Sequence, residues 1–543
     1  MSKNVKIGGS VFRDVSYLEV ETEEGESAKF WDEVPVVQDK AITENGVYTC
    51  DAGYDGLGTV TVAVEASGGG SSVVGGYGVT FSANGLTYAY VSVTAGQSVA
   101  RPTGSPARAG YAFAGWYTEA EGGERVKFPF VPTEDTTIYA HFTASIVLGV
   151  TGLTDSTGVL TLTDAAADVA AYETSANGDY TSVSNDLDAM WPFSAIEEYT
   201  DADGNVMVKF PKFWMKWLTN DSGVIDGYQI ANGQVDEDYF IPDAFLDPKC
   251  YGTDEYTYLD YFALGKYEAS GSSSKMYSKT GATCLVNITR ANARAGARAY
   301  GTSANYYNGY QQLDFAQLIA YNLLCMMYYR TANIQKVYGG RTGSVSGHSW
   351  SEASVTGTTD GCVGMNGWNT STDCVKMLGI ENPFGNIFKW VDGVYFSGST
   401  IYAHKFPQHH ADSSANGKAL GFSRPTSSNY IKSMKHGTES DTPQNDVRSY
   451  AYPSDVSGSE TTYYGDYCYY NSSGVVLVCG GHWSTAGKAG LWYLNGNNDA
   501  SNSNSNIGAR LSFLSLVNWR ERPLQEIYVL APWQKTVVKS TGQ

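Results

Sequence analysis

His404, His409, His410 and Asp412 fall within the stretch AHKFPQHHAD. Imidazole and carboxylate are metal-ligand types, but a metal centre needs three or four of them convergent, with a supporting shell. Histidines in such a loop are read as solvated, and no metal or other cofactor is expected. DADGN, residues 201–205, begins like a calcium loop, but its twelfth position holds Lys212 where a glutamate is required, so it is read as a β-turn. Eight cysteines (Cys50, Cys250, Cys284, Cys325, Cys362, Cys374, Cys468, Cys479) are widely spread with no CxxC pair, which supports neither a zinc ribbon nor a thioredoxin-like site. They are read as scattered reduced thiols. Cys468 and Cys479 could be hairpin neighbours, and bridging of that pair or of Cys362 with Cys374 stays open. No Ser/His/Asp or Cys/His arrangement has a recognisable elbow. The expectation is a protein that is not an enzyme.

The other chemistry on offer is recognition. NGNNDASNSNSN, residues 495–506, contains only Asn, Ser, Gly, Asp and one Ala. It lies between GGHWSTAGKAGLWYL and IGARLSFLSL, both rich in residues that pack. A polar segment between packed ones is open to being a binding surface, since recognition usually sits on loops held by a scaffold, and the family resemblance of residues 480–513 implies that reading. The bland alternative is a solvated Asn/Ser loop. Trp483, Trp492, Ile507 and Phe513 are the expected buried frame. The expected ligand contacts are His482, Ser484, Thr485, Lys488, Leu491, Tyr493, Asn495, Asn497, Asn498, Asp499, Asn502 and Asn504. Tyr493 is expected to be the anchor, since a ring brings contact area at little entropic cost.

Composition bounds the partners. The 543 residues are 42% apolar and 17% charged, with 60 Gly and 40 Tyr, a globular, β-leaning make-up with room for several domains. A net charge of −20 argues against nucleic acid, whose phosphates need a basic surface. No window approaches the ~20 apolar residues of a membrane span, so no membrane insertion is expected. The opening MSKNVKIGGSVFRDVSYLEVET has no apolar h-region, so no secretory signal is expected there.

The elements that must position these residues follow from period and punctuation. Residues 1–66 read as short strands, with Val60, Val62 and Val64 on one face. Residues 67–77 are a Gly/Ser linker. From about 145 to 543 the chain reads as one long unit. Within it, ITRANARAGARAYG places Ala291, Ala295 and Ala299 on one helical face. LDFAQLIAYNLLCMMYYRT starts at Asp314 as N-cap, with Gln317 three on, and shows a core stripe of Phe315, Leu318, Ile319, Leu323 and Met326. Gln317 and Asn322 interrupt its apolar run.

Several stretches resemble known families. Residues 1–66 resemble N-terminal segments of phage tail proteins, which implies attachment to other tail proteins. Residues 78–143 carry Gly110-Tyr111, Phe113, Gly115-Trp116-Tyr117 and Thr136-Thr137-Ile138-Tyr139-Ala140. They resemble the Listeria–Bacteroides repeat, a small β-grasp module. The resemblance implies a spacer with Trp116 filling its core and the last strand closing its sheet.

FALGKYEAS (262–270), NPFGNIFKWVDGV (382–394) and CGGHW…IGARLSF resemble, in order, three motifs of the formylglycine-generating branch of the C-type lectin fold. In the middle motif Gly385 permits a turn, Asn386 can bond backbone and Trp390 anchors. The sequence departs from that family. Lys389 stands for its glutamate, Cys479 for an arginine and His482 for a serine. The oxidases' cysteine pair after Gly-Gly-x-Trp is missing. Glu381-Asn382-Pro383 also lacks the Glu-Pro-Asn order of calcium-dependent lectins.

Residues 480–513 resemble the variable region of diversity-generating-retroelement targets. The carrying residues are Gly480-Gly481-x-Trp483, Ala489-Gly490-x-Trp492-Tyr493 and Ser503-x-Ser505-Asn506-Ile507-Gly508-Ala509-Arg510. The fold class expected is multidomain, mainly β with α+β: an N-terminal β region, a β-grasp module and a large C-type-lectin C-terminal domain. The resemblance implies a phage tail receptor-binding protein, homotrimeric and carried on the virion, that recognises a protein or glycan of a bacterial surface. Alternatives are a lectin-fold enzyme related to the formylglycine oxidases and a bacterial surface adhesin.

Overall fold

The computed structural model describes residues 76–514, apart from 103–105, 107, 109, 252–255, 301–308, 344–347 and 441. In the first 75 residues it describes only the backbone of three antiparallel strand pairs. These are Lys3–Ile7 with Ser10–Val15, Glu19–Glu21 with Ser27–Lys29, and Gly46–Tyr48 with Val60–Val62. Residues 67–75 of the expected linker, and 515–543, lie outside the described residues, as does Cys50. The chain is mainly β and multidomain, with two α-helices among the described residues.

The smaller described sheet has the order Leu86–Thr94, Gly76–Ala83, Thr136–Ala144, Tyr111–Tyr117. Gly76 and Tyr77, expected in the linker, already belong to a strand. The last strand, expected to close the sheet, runs inside it, parallel to Gly76–Ala83. Trp116 is buried against Phe81, Phe113 and Tyr88, with ring centres 5.0, 5.4 and 5.5 Å away.

In the larger unit, Ala144–Trp519 with Ala109–Ala112, two sheets position the candidate site. One has the order Glu197–Thr200, Val206–Pro211, Tyr261–Gly265, Leu511–Leu514, Tyr310–Gln312. The other runs Asn429–Tyr430, Tyr467–Tyr470, Leu494–Asn498, Val476–Cys479, Phe388–Val391, Ile507–Gly508. Residues far apart in the chain thus become neighbours. The strand of the first expected motif pairs with Leu511–Leu514, and the strand of the middle motif lies between Val476–Cys479 and Ile507–Gly508. Cys468 and Cys479, whose relation the sequence left open, are not hairpin neighbours. Leu494 stands between them, in register with both. All seven described cysteines are buried, and Cys362, Cys374, Cys468 and Cys479 are free thiols.

Helix α2, Phe315–Tyr329, begins with the expected capping box: Asp314 accepts from the Gln317 N–H at 2.8 Å. The five residues of its expected core stripe are buried, and so are the other ten, because strands and loops pack on every side, and a helix so placed need not be amphipathic. The two polar interruptions are used: Gln317 caps, and Asn322 donates to the Leu491 carbonyl at 2.8 Å.

Helix α1, Arg290–Arg298, is capped by Thr289. Ala291, Ala295 and Ala299 share one face, which is exposed, while Ala293, Gly296 and Ala297 are buried. Alanine recurs on both faces, so spacing alone could not choose. The choice is made by Arg290 and Arg294, which reach inward to two carboxylates. Arg294 makes a two-point bond to Asp392 at 2.7 and 2.8 Å and reaches Asp412 at 2.9 Å. Arg290 reaches both acids at 3.1 Å.

The same network overturns the solvated reading of AHKFPQHHAD. His404 and His410 are buried, His410 lying 3.7 Å from Asp392, and His409 packs edge-on to Tyr251. Among the described residues no three His, Cys, Asp or Glu side chains converge as metal ligands. DADGN forms a turn between paired strands, with Asp201 accepting from the N–H groups of Asp203 and Asn205 at 2.9 and 2.8 Å.

Candidate ligand-binding surface

The three motifs meet at a buried polar node. Lys389 Nζ lies 2.9 Å from Glu268 Oε1 and donates to the Gly385 carbonyl at 2.8 Å. Asn386 donates to Glu268 and accepts from the Ser354 N–H, and its carbonyl receives the Trp483 N–H at 3.1 Å. Arg510 fills the remaining space, donating to the carbonyls of Gly265, Lys266, Glu381 and Asn382 at 2.7–3.1 Å. Trp390 is buried and donates to the Ile288 carbonyl at 2.9 Å. Each charge is thus paired or spent on backbone, as burial requires.

This node fixes residues 480–514 from below. Consecutive Gly480 and Gly481, at φ +85° and +80°, turn the chain out of strand Val476–Cys479, a conformation that disfavours other residues. A short 3₁₀ turn, Ala486–Lys488, follows. Gly490 then passes against Asp466 so closely that a Cβ there would sit 1.9 Å from the carboxylate. Asp466 accepts the Trp492 N–H at 2.7 Å, and the Trp492 ring donates to Met326 of α2.

The segment does not present all twelve expected contact residues. Ser484, Asn497, Asp499 and Asn504 are exposed, and His482, Thr485, Lys488 and Asn502 are partly so. Leu491 and Tyr493 are only 2% exposed, and Asn495 and Asn498 are buried. Tyr493 therefore cannot anchor a ligand. The residues do not alternate as a simple strand–loop–strand, because backbone bonds to Asp466, α2 and the motif node pull Leu491–Asn495 inward. Asn498 donates to Asn495 at 3.1 Å, and Asn502 donates to Asn498 at 3.1 Å. Asp499 accepts from the N–H and hydroxyl of Ser501 at 2.9 and 2.7 Å. The Asn-rich stretch is cross-linked by its own amides. Of the expected frame, Trp492 and Ile507 are buried, while Trp483 and Phe513 are only half-buried.

Beside this segment lies a feature that sequence inspection missed. Part-exposed rings follow one another across the sheet. Tyr430 and Tyr467 are cross-strand partners with ring centres 5.0 Å apart, and Tyr467 and Tyr469 are 4.5 Å apart. Tyr493, 5.9 Å from Tyr469, links them beneath the surface to Phe388 at 5.6 Å. Phe388 meets His482 at 4.6 Å, and His482 meets Trp483 at 5.2 Å. Lys488 stands over the Tyr467 ring at 4.6 Å and donates to the Tyr469 hydroxyl at 2.9 Å, which raises its pKa. Burial lowers His482 from 6.5 to about 4, so it is neutral at neutral pH. The available signal was alternation in DYCYY: Cys468 faces the core, while Tyr467 and Tyr469 share the other face.

Residues 77–141 match the Listeria-Bacteroides repeat domain. No curated protein matches the chain. Among solved structures, it is similar to PvdO from Pseudomonas aeruginosa at 12% identity and a TM-score of 0.25, over 59% of this chain and 98% of that one. It is also similar to the U1 and M1 variants of a Major Tropism Determinant at 16% and 15% identity, each with a TM-score of 0.22, over 71% of this chain and 77% of the other. Likenesses this weak assign no residue a role.

Proposed function

We propose that this is a receptor-binding protein of a phage tail, which holds a bacterial surface ligand without covalent chemistry. The observation that carries the reading is the ring series Tyr430–Tyr467–Tyr469 and Phe388–His482–Trp483, flanked by the exposed positions of 480–506. Aromatic side chains, tyrosine and tryptophan above all, give rigid amphipathic contact area, and small polar neighbours add adaptable hydrogen bonds.

In this reading the larger unit is a C-type-lectin-type scaffold. The N-terminal strands attach to other tail proteins, and the Listeria-Bacteroides repeat acts as a spacer. A homotrimer on the virion would multiply modest single-site affinity by ~10²–10⁴. Adenine-directed diversification of exposed positions such as Ser484, Asn497 and Asn504 fits a frame that tolerates their change. A catalytic thiol is disfavoured, because burial raises the pKa of Cys284, Cys325, Cys374, Cys468 and Cys479.

The test is labelling of a panel of bacterial isolates by the fluorescent full chain. Saturable labelling of some isolates and not others is expected. Labelling of none, or of all without saturation, would remove the reading.

A further inference from the structure

We infer that the ligand of the aromatic ribbon is a glycan, whose pyranose C–H groups meet part-exposed rings that stand edge-on and tilted to one another. This inference rests on the recognition reading above and narrows it to one ligand class. Its first support is the shape of the site. Tyr430, Tyr467 and Tyr469 form a row on one face of two paired strands. Ring faces carry partial negative charge, so they attract the polarised C–H groups of a sugar face. A protein ligand instead gains most where an anchor side chain fills a desolvated pocket.

The second support is what surrounds the row. Asn429 is exposed beside Tyr430, and the Ser428 carbonyl accepts from the Tyr467 hydroxyl at 3.0 Å. Every exposed large hydrophobic side chain among the described residues lies before Phe388 in the chain, from Leu86 to Val363. A protein interface concentrates its apolar area in a core that excludes water. Here the rings stand beside Ser428 and Asn429, a hydroxyl and an amide that can both donate and accept, as sugar hydroxyls require.

The third support is charge. Lys488 and Glu460 reach the ribbon, one through Tyr467 and Tyr469 and the other through the Tyr430 hydroxyl at 3.5 Å. Lys488 spends one ammonium hydrogen on Tyr469 and keeps two donors for ligand oxygens. With the chain at −20, a polyanion would be repelled, so the glycan is largely uncharged.

The experiment takes an isolate that the full chain labels. Polysaccharide is extracted from protease-digested cells of that isolate and used as competitor, with and without periodate, which cleaves vicinal diols. The proposal expects the untreated extract to abolish labelling and the periodate-treated extract to compete at least about tenfold less well. It also expects Tyr467→Ala with Tyr469→Ala to weaken labelling about tenfold or more, and Tyr467→Phe to retain it, because the ring carries the contact. Failure of the extract to compete, with labelling lost after protease treatment of the cells and still dependent on the two tyrosines, would overturn the glycan and leave recognition standing. Labelling that ignores both tyrosines would overturn the site itself.

Discussion

Lys389 Nζ lies 2.9 Å from Glu268 Oε1, and each residue is 1% exposed. The pair joins two motifs that are 121 positions apart in the chain (389 − 268). Each charge offsets the other in a site closed to water. Lys389→Met should leave Glu268 charged and unpaired in the core and cost ~3–5 kcal/mol. Adding Glu268→Gln should recover part of that loss. Urea unfolding of the three variants checks the coupling, and simple additivity would refute it.

Gly490 faces Asp466 with no room for a methyl group. Gly490→Ala should therefore cost ~1–3 kcal/mol through overpacking, and Asp466→Ala should lessen the effect of that change. Thermal melting of the single and double variants reads this out.

His404 gives the chain a pH dependence. Burial lowers its pKa from 6.5 to about 4, and neither ring nitrogen has a hydrogen-bond partner among the described residues. Between those values the unfolded chain binds the proton and the folded chain does not, so stability falls as pH is lowered through that window. Asp314 opposes this, because burial raises it from 3.8 to about 7 and its folded form gains a proton as pH falls. Comparison with His404→Leu isolates the histidine. From pH 7 to pH 4.5 the wild type should lose ~2–3 kcal/mol relative to the variant. Parallel stability curves would show that His404 does not titrate in this way.

The amide ladder separates buried from exposed asparagines. Asn498→Ala should cost ~1–2 kcal/mol, since it breaks bonds to Asn495 and Asn502. Asn497→Ala should stay within about 0.5 kcal/mol because its side chain is exposed. Equal effects in urea unfolding would show that the ladder does not order the loop.

Local signals in the sequence were legible where they acted locally. The Asp314 cap and the DADGN turn follow from residue types at short spacing, and the Trp116 core from the resemblance that residues 110–117 carry. Positions set by distant partners were not. Nothing near Tyr493 announces that Phe388 and Tyr469 will cover it, and nothing near Ala291 announces that Asp392 and Asp412 will draw the arginine face of α1 inward. The aromatic ribbon was missed for the same reason. Tyr430 lies 37 positions before Tyr467 (467 − 430), and only strand pairing makes their rings adjacent.

The most direct test of the recognition surface compares two full-length variants on an isolate that the wild type labels. One carries Tyr467→Ala and Tyr469→Ala. The other carries Val363→Ser, at an exposed position outside the ribbon. The melting temperature of each is measured beside its cell affinity. The account predicts that the tyrosine variant keeps a cooperative melt yet loses about tenfold or more in affinity, while the Val363 variant binds as the wild type does. Unchanged affinity in a folded tyrosine variant would contradict it.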